Sequence, residues 1–210
     1  MLLRSPSLRF LIPGLLGLGL AGPAVAQVSL PQLMAPAGTA DAPRPVRAAP
    51  QGDAEIIGSI DTLPIEVVGM DDSGTWGRVR AGESEGWIPL AGLMAQADSW
   101  PEGGLPASLS CHGTEPFWSF HREGERITMT TPDSAPVTHD LRAVFDSRIE
   151  GDLLRAFIAG SDAGRMTAVL SPEACSDGMS DIPWGLSAVV ILDGSNQSSR
   201  MLRGCCTIAR

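Results

Sequence analysis

Cys111–Thr131 reads "CHGTEPFWSFHREGERITMTT". Two β-prone runs, "FWSFHRE" and "RITMTT", flank Gly124-Glu125. Two residues with a glycine between alternating runs are the sequence mark of a β-hairpin. Side chains alternate faces along a strand, so Trp118 and Phe120 share one face and Phe117 takes the other. The hairpin therefore opens a sheet that is aromatic on its inner side. Trp184 is expected to join that aromatic cluster.

Further strands follow: "DLRAVF", "LLRAFIAG", "RMTAVL", "LSAVVIL" and "RMLRGCCTIA". Turn clusters such as "GSDAG" and "LDGSNQSS" separate them. Many short strands punctuated by Gly and Pro predict a barrel or a sandwich. Upstream, "LPIEVVGM" alternates with Ile65 and Val67 on one face, and "TWGRVR" and "WIPL" are short strands around the turn "AGESEG". The whole chain is expected to be all-β, in two units.

The boundaries come from composition. Residues 1–26 read as a cleavable signal: Arg4 and Arg9, then the apolar "FLIPGLLGLGLAG", then Ala24-Val25-Ala26. The apolar run is shorter than the roughly 20 residues a membrane helix needs. Gly17–Gly22 matches the G-x-G-x-x-G nucleotide pattern, but a signal cannot supply the strand and helix that this pattern requires. Residues 27–43, rich in Pro, Ala and Gly, are expected to be a flexible lead-in, and residues 96–108 a linker. The folded units are then 44–95 and 109–210.

Charge narrows the partners. Every basic residue is an arginine, and without Arg4 and Arg9 there are 13 of them against 24 acidic residues, a net charge of −11. Such a surface disfavours nucleic acid and anionic lipid. The expected setting is the periplasm or the exterior, with no membrane insertion after signal cleavage.

Four cysteines, Cys111, Cys175, Cys205 and Cys206, in an exported chain predict two disulfides. Adjacent Cys205 and Cys206 are too close and point to opposite faces, so each should pair with Cys111 or Cys175. Which pairs with which stays open.

Residues 44–95 suggest a family. "VRAAPQGDAEIIGSI", "LPIEVVG" and "GTWGRVRAGESEGWIPLAGL" resemble a bacterial SH3-type domain. The chain departs from that pattern at Pro45, at Ala49 and at Gly77, where an apolar residue is usual. Gly77 is expected to leave a small gap in the core. The resemblance implies a small barrel that binds a cell-envelope component, either peptidoglycan or a protein partner. Strand parity turns Val79 and Gly77 inward and Trp76, Arg78 and Arg80 outward. An outward Trp between arginines can stack on a flat group and pair with a carboxylate. Trp87 is expected in the core.

Residues 109–206 resemble an uncharacterised family of bacterial envelope proteins through "CHGTEPFWS", "CSDGMSD" and "GCC". That likeness implies location and fold, not a reaction. The chemistry readable from the residues is thin. Cys111, His112, His121 and His139 lack the C-x-x-C or H-x-x-x-H spacing of zinc sites, so no metal is expected, and no motif requires a cofactor. Glu115, Asp177 and Asp181 are the carboxylates on which a hydrolase or metal-handling reading would rest. Asp and Ser in such a loop more often cap backbone amides.

Overall fold

The computed structural model describes residues 30–38, 43–194 and 199–209. The expected signal, residues 1–26, lies outside them. All the described strands pair antiparallel, and the only helical piece among the described residues is a single 3-10 turn, Ala97–Ser99.

The first unit has two small sheets. One holds β4 (Ile65–Val67), β1 (Gln32–Pro36) and β8 (Leu93–Ala95) in that order. The other runs β3 (Ile56–Ile60), β2 (Arg44–Arg47), β7 (Ser84–Pro89), β6 (Trp76–Ala81) and β5 (Gly69–Met70). Met34, Val46, Ile65, Val67, Val79 and Ile88 pack between them. Ile65 and Val67 share the inner face, as alternation requires.

Two expectations about this unit need correction. The expected flexible lead-in, 27–43, contains β1, the central strand of its sheet, and Met34 is buried there. Pro and Ala obscured the alternation of Leu33, Met34 and Ala35. Nor does Gly77 leave a gap. A Cβ there would sit 2.7 Å from Leu90 Cδ2 and 2.9 Å from a Val67 methyl. The neighbouring chains already fill the space, so glycine is what the packing demands.

The second unit is a closed barrel, which decides between barrel and sandwich. Its strands are β9 (Ser110–Thr114), β10 (Phe117–Glu123), β11 (Arg126–Thr131), β12 (Ser134–Asp146), β13 (Arg155–Ser161), β14 (Gly164–Cys175), β15 (Trp184–Asp193) and β16 (Arg200–Thr207). Each pairs with the next in sequence, and β16 returns to pair with β9. This is an up-and-down meander with no free edge. Gly124, at φ 59°, supplies the left-handed residue of the β10–β11 hairpin.

Alternation fills the barrel. Trp118 and Phe120 point inward, their ring centroids 5.9 Å apart, and Phe157 meets Phe120 edge-on at 5.7 Å. The expected linker, 96–108, is part of this packing. Leu105 is buried in the barrel core, Ser99 is buried, and Trp100 Nε1 donates to the carbonyl of Pro31 at 2.8 Å. Two inward arginines hold the segment: Arg122 donates to the Leu105 carbonyl at 2.6 Å, and Arg155 to that of Gly104 at 3.3 Å. Proline and glycine shape this segment into a plug over the barrel end; its apolar residues keep it there.

The disulfides join Cys111 to Cys206 and Cys175 to Cys205. Cys206 faces the barrel interior and Cys205 the outside, so adjacent residues bind opposite layers. Trp184 does not join Trp118 and Phe120. β15 pairs with β16 only from Leu186 onward, and Trp184 precedes that register. Its ring packs outside the barrel with Ile182 and Cys205.

Candidate functional site

Parity on β6 is as expected: Gly77 and Val79 are buried, while Trp76, Arg78 and Arg80 project from the other face. Cross-strand register then adds residues the sequence did not group with them. Arg78 lies opposite Trp87 on β7, and Trp87 lies opposite Arg47 on β2. Trp87 is therefore not core. Gly86 and Ile88 take the inward positions, and a Cβ at Gly86 would meet a Val46 methyl at 2.2 Å. Alternation of Ile88 inward was the signal that should have turned Trp87 outward.

The face is held stiffly. The Asp71 carboxylate accepts from the backbone amides of Thr75 at 2.9 Å and Trp76 at 2.8 Å. The Ser73 hydroxyl first, and then these backbone bonds, keep the Asp71 carboxyl below its usual range. Arg78 lies against Gly69 and faces Glu85 at 3.5 Å. Arg47 donates to the Ala54 carbonyl at 2.6 Å.

Arg80 leaves this group. Its Nε donates to the Gly82 carbonyl at 2.9 Å, and its guanidinium lies 5.7 Å from the centre of the Trp184 ring. The three residues read as one patch thus divide. Trp76 and Arg78 stay on the open sheet face; Arg80 reaches across to the second unit. A cleft of about 520 Å³ lies between Arg78 and Glu85 on one side and Ser180, Asp181 and Trp184 on the other.

The loop between β14 and β15 is built on Asp177. One carboxylate oxygen accepts from the amides of Met179 and Ser180, both at 2.9 Å. The other accepts from Ser180 Oγ at 2.9 Å and Trp184 Nε1 at 3.4 Å. Burial of the carboxylate opposes its ionisation, but these bonds outweigh it and hold the Asp177 carboxyl far below its usual value. His112 Nε2 sits 3.6 Å from the same carboxylate, and its ring meets Trp184 at 4.6 Å. No local spacing pairs His112 with Asp177; β9 and the loop bring the two together from 65 residues apart.

The three carboxylates do not converge. Glu115 and Asp177 line one hollow of about 710 Å³ beside His112, Phe117 and Met179. Asp181 lines the cleft with Arg78 on the other side of the loop. His139 points into the barrel, where its Nδ1 is 3.1 Å from Ser161 Oγ, and His121 lies outside near Glu123. Among the described residues no group of three or more His, Cys, Asp or Glu side chains is placed to hold a metal.

The two units are fastened at Glu66 on β4. Its carboxylate accepts from the Thr207 hydroxyl and, at 2.9 Å, from the Ile208 amide. Burial pushes the Glu66 carboxyl up from its usual value, and these bonds pull against that shift.

Fold and site define an all-β protein of two joined units, the larger a disulfide-braced, eight-stranded up-and-down barrel. Two closed disulfides fit an oxidising, extracytoplasmic setting. No helix among the described residues is long and apolar enough to cross a membrane. No protein-family model matches the chain, and no curated protein or solved structure matches it either.

Proposed function

We propose that this is a non-enzymatic, exported binding protein, delivered to the periplasm or exterior by a cleavable signal at residues 1–26. It takes a cell-envelope component, peptidoglycan or a protein partner, on the open face of its SH3-like first unit. One observation carries the reading: Trp76, Arg78 and Trp87 share one stiff, half-exposed sheet face. Two aromatic rings beside a guanidinium offer stacking and a carboxylate clamp at small entropic cost. Arg80 contributes at the edge, where the face runs into the second unit.

The alternative is a small periplasmic hydrolase or metal-handling protein using Glu115, Asp177 and Asp181. Glu115 and Asp177 share one hollow beside His112, but the set of three is not assembled. Asp177 is filled by four hydrogen bonds, and Asp181 opens on a different cleft.

The test is retention of the purified protein on insoluble peptidoglycan and on immobilised envelope extract. Trp76→Ala and Trp87→Ala should each lower retention about tenfold or more, as expected for aromatic anchors in a binding face. Both variants should keep the wild-type melting temperature within a few degrees, because neither ring is core. Equal retention of wild type and both variants would sink the proposed face.

A further inference from the structure

We propose a second, separate ligand site between the two units, for an amphipathic carboxylate of the medium-chain fatty-acid class. A cleft of about 630 Å³ lies there, within the ~300–1,000 Å³ typical of small-molecule sites, and junctions between units are where such sites concentrate. Its walls are largely apolar. Leu63 and Val68 come from the first unit, and Ile182, Trp184 and Ile208 from the second. Leu63, at 49% exposed, stands at the surface with no apolar cover.

Charge selects the head group. Arg80 lines this cleft from its seat on Trp184. Its carboxylate contact, Glu83 at 3.8 Å, is an exposed pair of little worth, which a better-placed anion displaces. Glu66 also lines the cleft within electrostatic reach of Arg80, but it is buried and both its oxygens already accept from Thr207 and Ile208, which leaves the guanidinium open to a ligand. The charge a ligand meets is thus a cation at the rim, and apart from the hydroxyl side chains of Thr62, Ser108 and Thr207 the body of the cleft is apolar. An unbranched chain with one terminal carboxylate matches both: its chain covers Leu63, Val68 and Ile182, and its head meets the guanidinium. Arg80 stands at the edge of both, but the site shares no other side chain with the Trp76–Trp87 face, so Trp76→Ala and Leu63→Glu tell the two apart.

The probe is 2-bromodecanoate, whose bromine is next to the carboxylate and so beside the Trp184 ring under Arg80, where it quenches on contact. Titration into the oxidised full-length mature chain should quench fluorescence saturably. Trp184→Phe should remove most of that quenching, while calorimetry still records binding. Arg80→Gln should weaken binding about tenfold or more, the worth of a charge-assisted hydrogen bond. Methyl 2-bromodecanoate, which lacks the charge, should bind wild type and Arg80→Gln alike and more weakly than the acid binds wild type. Leu63→Glu, an exposed substitution at the mouth, should also abolish binding, and Trp76→Ala should leave it unchanged. The proposal is overturned if quenching does not saturate or survives Trp184→Phe. It is also overturned if acid and ester bind wild type equally, or if Arg80→Gln or Leu63→Glu binds the acid as wild type does with its circular dichroism intact.

Discussion

Replacing Gly204 by alanine should nearly open the barrel, although it adds one methyl group. Gly204 sits on β16 at the seam where the last strand meets the first. A Cβ there would lie 1.9 Å from the His112 carbonyl oxygen and 2.6 Å from its carbon, with Trp118 Cζ2 at 2.7 Å. Two of these three atoms are backbone, so no side-chain rotation relieves the clash. The seam itself must part. Overpacking of a well-filled core costs about 1–3 kcal/mol, and a backbone obstacle belongs at the top of that range. Trp118 Nε1 donates to the Arg203 carbonyl at 3.2 Å across the same seam, and losing that bond adds about 1 kcal/mol. Alanine returns about 0.4–1 kcal/mol by restricting the unfolded chain. The net expectation is about 3 kcal/mol. Urea unfolding of the oxidised protein, followed by near-UV circular dichroism, measures it. With a slope of about 2 kcal/mol/M, the midpoint should fall by about 1.5 M. Gly58→Ala is the control: nothing lies within 4 Å of its Cβ position, and its midpoint should hold. A cost below about 1 kcal/mol at Gly204 would show that the seam is not packed as described.

The two disulfides should differ in worth. Cys111–Cys206 spans 95 residues and Cys175–Cys205 spans 30, which in the chain-entropy model gives about 4.7 and 3.6 kcal/mol. Alanine pairs at each bridge, compared by urea unfolding, should show the inner bridge costing more, since its removal also leaves a void in the core. A larger loss at Cys175–Cys205 would contradict this ordering. His139 gives a pH signature. Burial holds its imidazole below its usual pKa, so the unfolded chain takes the proton more readily than the fold does. Its contribution is complete above pH ~6.5 and is lost as pH falls toward the depressed folded value, with a slope of at most about 1.4 kcal/mol per pH unit. Stability of wild type minus that of His139→Gln, measured from pH 5 to 8, should show this slope; a flat difference would refute the assignment.

What the sequence disclosed was whatever depends on alternation. The β10–β11 hairpin, the inward Trp118 and Phe120, and the outward Trp76 and Arg78 all follow from period two. So does the exclusion of a Cys205–Cys206 bridge. The same rule applied to Gly86, Trp87 and Ile88 gives the outward Trp87; bulk suggested core, and parity was the better guide. Other features depend on contacts far apart in the chain, and no local pattern reports them. β1 looks like a lead-in because its partners are β4 and β8. Residues 96–108 look like a linker because the barrel that they plug is downstream. Asp177 finds His112 only after the barrel closes.

Trp184 shows why the carboxylates in this loop read ambiguously. Its indole N–H binds Asp177, its ring edge meets His112, and its face carries Arg80 of the first unit. Asp177 folds the loop, the loop presents Trp184, and Trp184 receives the other unit. The buried outer disulfide at Cys205 braces the same ring from below. Two aspartates, two serines and a cysteine in the ten residues from Cys175 to Trp184 resemble a reactive centre in one dimension. In three dimensions Asp177, with Ser180, is spent on holding one indole in place, and a cleft opens on either side of it.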